Sequence, residues 1–214
     1  MRQILITAIA FLACNSISSQ TENKNLFKKF YKNHLEINVE KKDVQLFAEI
    51  NPQFFAFGGF GAGVGLEFSR VQAGFIYLHT KLTPTFRDAI FNDAKNLDIP
   101  KNTAAEIFAN IFLRKDRKGL YIGSILSYDG YSVIDTLSKK KEEFNKAYLV
   151  ARVGFRWFPF QEHFYIDGGY GISFNINNPE KRTLGSYTYS PKPILALPFL
   201  AVGGRFYLRK QSNK

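Results

Sequence analysis

Two groups of residues in this sequence could do chemistry: a histidine beside a hydroxyl, and acids and arginines that recur at even spacing. His79, at the long-loop end of the third of eight alternating segments, is followed by Thr80 and Lys81, and an imidazole is a general acid or base. The same ring also suits a membrane interface, where amphipathic rings such as Tyr and Trp collect. His34 has no partner nearby in sequence, and His163 falls in a short turn. The stretch GGFGAGVGLEFSR, Gly58 to Arg70, could be read as a phosphate loop. That chemistry needs G-x-G-x-x-G between a strand and a helix. Here Gly59, Gly61, Gly63 and Gly65 recur at period two, opposite Phe60, Ala62, Val64, Leu66 and Phe68. This is the period of a strand with one bare and one apolar face. Asp88, Asp93 and Asp98 do not have the calcium-loop spacing, so no metal and no cofactor is expected.

Around these residues, eight segments between Val44 and Leu208 alternate in the same way. They are VQLFAEI, the glycine stretch, VQAGFIYLH (71–79), AAEIFANIFLR (104–114), LYIGSILSYDG (120–130), AYLVARVGFRWF (147–158), FYIDGGYGISFNI (164–176) and ILALPFLAVGGRFYL (194–208). A content of 22 Phe, 11 Tyr and 16 Gly agrees with strands. Pro198, inside the last segment, marks a bulge or an irregular start. Connections alternate between long and short, which describes an up-and-down barrel with both termini at the short-turn end.

One face of these strands is apolar. The other carries Glu49, Glu67, Glu106 and Asp167 together with Arg114, Arg152, Arg156 and Arg205. Such ions tolerate burial only when paired. Alternation alone does not say which face is outside. The glycine strand does favour one answer, because it leaves room for guanidinium and aromatic side chains inside a narrow eight-stranded tube. The expected fold is therefore all-β, an antiparallel up-and-down eight-stranded closed transmembrane barrel with a short helix in one long loop. The opposite choice is a soluble lipocalin-like barrel binding an apolar ligand, with Leu149, Val153 and Phe155 pointing inward.

The helix is expected in KLTPTFRDAIFNDAKNLDIPKN, capped by Thr83, with Pro84 in its first turn and Phe86, Ile90, Phe91, Ala94 and Leu97 on one face. Pro100 should stop it. It is read as a cover for the barrel rim, or as a lid that binds a partner. SKKKEEFNK, 138–146, reads as solvated loop.

The chain opens MRQILITAIAFLACNSISSQ, with one cation and an apolar core from Ile4 to Ala13 too short to span a bilayer. Residues 1–20 read as a signal peptide, 21–43 as a polar basic leader, 44–208 as the barrel and 209–214 as a basic tail. Cys14, the only cysteine, is discarded with the signal or carries a lipid. The formal charge of +11 becomes +10 once Arg2 leaves with the signal. An exported chain with cations spread over turns points to anionic lipid or surface polysaccharide, not to nucleic acid.

The signal peptide, the eight alternating segments and the aromatic final strand VGGRFYL together resemble the small eight-stranded outer-membrane barrels of Gram-negative bacteria, the OmpX and OmpA-barrel type. The resemblance implies insertion by barrel-assembly machinery, contact with outer-membrane lipid and lipopolysaccharide, and a filled interior that is not a pore. It also implies a structural or adhesive role through loops near 80–103 and 131–145. Some barrels of this size resemble lipid A-modifying enzymes. The deacylase pattern places a Ser two residues after its His, where this chain has Lys81.

Overall fold

Alternating side chains cannot all be satisfied by an open sheet, whose edges would leave backbone donors and acceptors bare; closing the sheet on itself removes those edges. The computed structural model describes residues 44–160, 162–177 and 181–207. The expected signal peptide, the leader with His34, Cys14 and the basic tail lie outside the described residues.

Eight strands form a closed antiparallel barrel. They are β1 (Gln45–Ile50), β2 (Phe60–Phe68), β3 (Val71–Leu82), β5 (Leu97–Phe112), β6 (Gly119–Asp135), β7 (Lys141–Phe160), β8 (Phe164–Asn175) and β11 (Ile194–Tyr207). Each pairs with the next in this order, and the ring closes where β1 pairs with β11, Gln45 opposite Tyr207. Both ends of the barrel domain thus lie at the end with the short turns.

β1 has only six residues against fourteen in β11. Above Ile50 the wall is continued by a 3-10 helix, Pro52–Phe57, which ends at Gly58 in a left-handed conformation (φ 67°) that favours glycine. Pro198 sits above this level, where β11 no longer has β1 beside it, and its pairing with Tyr170 of β8 runs in unbroken register. The expected bulge is absent because a strand with one free side tolerates an imino acid.

Four strands are longer than the sequence pattern indicates, and β3 runs on past His79 to Leu82. β5 begins at Leu97 and not at Ala104, β6 runs on to Asp135, and β7 starts at Lys141. Lys141 to Lys146, expected as solvated loop, are therefore strand, with Lys141 paired to Ile134. Only residues 83–96 and 136–140 of the expected partner loops are connections at all.

The strand extensions carry a cap. Helix α1 (Pro84–Ile90) leads into β4 (Phe91–Asn92), which joins β9 (Arg182–Leu184) and β10 (Tyr187–Pro191) in a three-stranded sheet. The helix is shorter than expected: it stops at Ile90, and Asp93 turns the chain with positive φ. Thr83 makes no side-chain capping bond, and Pro100 lies inside β5 at a shift of register. Phe91 prefers the sheet because its ring meets those of Tyr131, Phe144 and Tyr189 there, each edge-on. Leu82, Leu97, Val133 and Leu184 complete this upper apolar core.

Candidate functional site

The outer wall of the barrel is apolar. Leu149, Val153, Phe155 and Trp157 on β7, and Leu120, Ile122, Leu126 and Tyr128 on β6, are all exposed. The soluble, reversed-face alternative required Leu149, Val153 and Phe155 to point inward; they point outward, so that alternative is set aside. The apolar wall has a sharp upper edge. Ala105, Tyr128 and Ala147 face each other across β5, β6 and β7. One step higher on the same face, the row reads Thr103, Gly130, Asn145.

His79 belongs to that upper row, paired with Phe60 and Thr103. Its Nδ1 lies 3.2 Å from Thr103 Oγ1, and its ring lies near that of Phe60. The neighbouring Thr80 is buried and turns the other way, its hydroxyl reaching the Lys81 and Phe57 carbonyls. The hydroxyl beside the imidazole is therefore that of Thr103, a residue sequence spacing does not bring near.

The interior has two levels. The lower one is ionic and centred on Arg156, whose side chain is fully buried. It donates through Nη1 to Glu67, and through Nε and Nη2 to Asp167 Oδ2 at 3.2 and 2.9 Å. Nη2 also reaches Gln72 Oε1 at 2.8 Å. Its guanidinium lies over the rings of Tyr165 and Phe112. Arg205 stands 3.8 Å from Glu67, and Arg117 donates to Glu67 and Gln45. Tyr121 and Tyr165 donate to Asp167 and Glu49 at 2.6 and 2.8 Å. Arg152 donates to Asn110, which in turn donates to Gln72. Every ion here has partners, as burial demands.

Of the eight charged residues expected inside, Glu49, Glu67, Arg152, Arg156, Asp167 and Arg205 surround this level. Arg114 does not. β5 ends at Phe112, so the alternation no longer governs Arg114; it lies outside, 58% exposed, and pairs with Asp116 at 2.8 Å. Partial burial pushes the Asp116 carboxyl up, but its bonds to Arg114 and the Lys118 amide outweigh this and hold it below its ordinary range. Arg117, unforeseen, takes the place Arg114 was expected to fill.

Glu106 belongs to the upper level. Ser127 Oγ bridges it to Asp129, lying 3.3 Å from Glu106 and closer still to Asp129. Asp129 also accepts from Tyr131 at 3.1 Å, and Tyr131 meets Tyr148. Around these groups the lumen is not filled: a cavity of about 190 Å³ extends up to the cap residues Phe86 and Ile90. The expectation of a filled interior holds for the lower level only, because leucines and isoleucines replace the long arginines above it.

The glycine strand makes room for rings more than for guanidinium groups. A Cβ at Gly65 would lie 2.6 Å from the Phe47 ring, and one at Gly61 the same distance from that of Phe54.

No family model matches the chain, and no curated protein matches its sequence. Among solved structures it is similar to the N-terminal β-barrel domain of Pseudomonas aeruginosa OprF, with 14% identity, a TM-score of 0.43, and 76% of this chain and 96% of that one covered. It is likewise similar to Neisserial surface protein A, with 16% identity, a TM-score of 0.41, and coverage of 77% and 96%. A third is a major outer membrane protein of Thermus thermophilus, with 11% identity, a TM-score of 0.45, and coverage of 78% and 100%.

Proposed function

We propose that this chain is an integral outer-membrane protein whose barrel is closed to flow and which presents its cap at the cell surface. The observation that carries the reading is the edge of the outer wall at Ala105, Tyr128 and Ala147. Below that edge β7 is apolar on its outer face as far as Trp157. That is about 11 residues, or roughly 35 Å of strand, and roughly 25 Å of height at a tilt of about 45°. A lipid-facing belt is about 25 Å tall. Water on the outside would leave this wall unsatisfied while sealing paired ions within.

The ionic level supports closure to flow, since Arg156 and Glu67 meet across the lumen. The role is then structural or adhesive, exercised through the cap and its contact with lipopolysaccharide, after insertion by barrel-assembly machinery. The test is mobility in SDS of protein extracted from the membrane fraction, unheated against boiled, joined to conductance in a planar bilayer. A heat-dependent shift without steady conductance is expected. An aqueous protein without a shift overturns membrane insertion, and steady conductance overturns closure.

A further inference from the structure

The upper cavity combines apolar walls with hydrogen-bond acceptors that are short of donors. Leu78, Leu82, Leu195 and Leu197 form much of its wall. An apolar cavity of about 150 Å³ accepts a benzene-sized molecule, so about 190 Å³ suits a body of similar or slightly larger size.

Its polar side is made of carboxylates. Glu106 and Asp129 both take the hydroxyl of Ser127, yet a serine has one proton to donate. Tyr131 turns its one proton toward Asp129 and Tyr148, and the Asn102 Nδ2 is buried without a hydrogen-bond partner among the described residues. Two acids, each able to accept several bonds, thus share two hydroxyls, and Glu106 has the smaller part.

A separate observation comes from the facing wall. Asn51, at the top of β1, is only 6% exposed and lines the cavity. Its Nδ2 is directed to the Leu200 carbonyl, and its Oδ1 has no partner among the described residues. Gln53 Oε1, also in the wall, is in the same condition. Both oxygens are acceptors buried within the wall itself, so a ligand reaches them only if these side chains turn.

The other charged groups of the wall are engaged. Glu49 receives Tyr165, and Asp167 receives Arg156 and Tyr121. Arg152 donates to Asn110, with its guanidinium over the rings of Phe108 and Phe199. Lys146, the cross-strand neighbour of Asp129, has a partner of its own and does not line the cavity. Setting Arg152 against Glu49, Glu106 and Asp129 leaves the cavity wall with more acids than cations.

We propose that this cavity binds a small primary amine with an apolar body, its ammonium between Glu106 and Asp129 and its hydrocarbon against the leucines. An ammonium brings three donors and one positive charge, which are the two things the wall lacks.

Hexylamine, hexanol and hexanoate share one body and differ in the head. Titrated calorimetrically into the folded full-length barrel, hexylamine should bind at least tenfold more tightly than either of the others. Glu106→Gln and Asp129→Asn, which keep shape and remove charge, should each weaken hexylamine at least tenfold and leave hexanol unchanged. If one variant fails to fold, the other and the comparison of three ligands on the unaltered protein decide the matter. Preference for hexanoate would place an anion on Arg152 and overturn the proposal. Equal binding of all three, or none, would also overturn it, leaving a cavity of packing or water only.

Discussion

Arg156 on β7 and Glu67 on β2 form an ion pair between strands that stand opposite each other in the ring of eight. A single hydrogen bond thus spans the diameter of the barrel, between residues 89 apart in sequence. Neither neighbour-to-neighbour strand pairing nor turn geometry explains that contact; it exists because an arginine from one wall reaches an acid on the far one.

Removing Arg156 takes from Asp167 its cation and leaves that buried carboxylate with the Tyr121 hydroxyl, whereas Glu67 keeps Arg117 and Arg205. Arg156→Leu should therefore destabilise the barrel by about 3–5 kcal/mol, through the stranded Asp167 carboxylate. The measurement is the urea midpoint of the protein folded in detergent or vesicles. A change below about 1 kcal/mol would mean that water reaches this level.

Gly65 allows β2 to lie against β3 and Phe47. A Cβ there would stand 2.2 Å from the Ala73 carbonyl oxygen, a backbone atom that cannot step aside. Gly65→Ala should therefore cost at least the ~1–3 kcal/mol of an overpacked core. Gly168→Ala, where the nearest atom is 3.6 Å away, should cost almost nothing, and the pair is read by the same urea midpoint.

The outer wall has its own probe. Val153 is 50% exposed in the middle of the apolar belt. In lipid, Val153→Arg should cost about 2–4 kcal/mol, while Asn145→Arg above the edge should cost less than about 1 kcal/mol. Were water outside, the two substitutions would be alike. Trp157, the only tryptophan, is 57% exposed on the same wall, so its fluorescence should be quenched by brominated lipid and shielded from aqueous iodide.

The cap has a core distinct from the ionic level. Phe91→Ala should remove about 3–5 kcal/mol of local packing and make residues 83–96 open to protease. Heat-dependent mobility of the barrel should survive, since none of its ladder bonds involves that ring.

How much of this was legible in the sequence follows from how far period two persists. Between the two edges of the belt one face is always apolar, so the eight segments and the direction of Glu49, Glu67, Arg152 and Asp167 could be read directly. Above the edge the contrast fades: Tyr131, Ser132 and Val133 are buried in succession, and the charges of KKKEE resemble a loop although most of them pair as strand. The cap sheet joins segments about 100 residues apart, such as Asn92 and Ser190, through strands of two to five residues that leave no period to detect. Arg117 escaped because it sits in a turn with positive φ and folds back beneath the barrel. Asp129 and Ser127 were visible as alternating polar residues on the fifth segment, but nothing in their spacing announced that Glu106 would face them.

The short first strand also bears on how quickly the protein can fold. Seven of the eight junctions of the ring join strands adjacent in sequence or separated only by cap elements, whereas the eighth joins Gln45 to Tyr207 across nearly the whole domain. Contacts of such long range are slow to form, and only six residues of β1 are available to make them. Glu49 and Gln45 then act as latches, engaging Tyr165 and Arg117 once the ends meet. The ionic level of the finished barrel is thus complete only once the chain's two most distant strands have met.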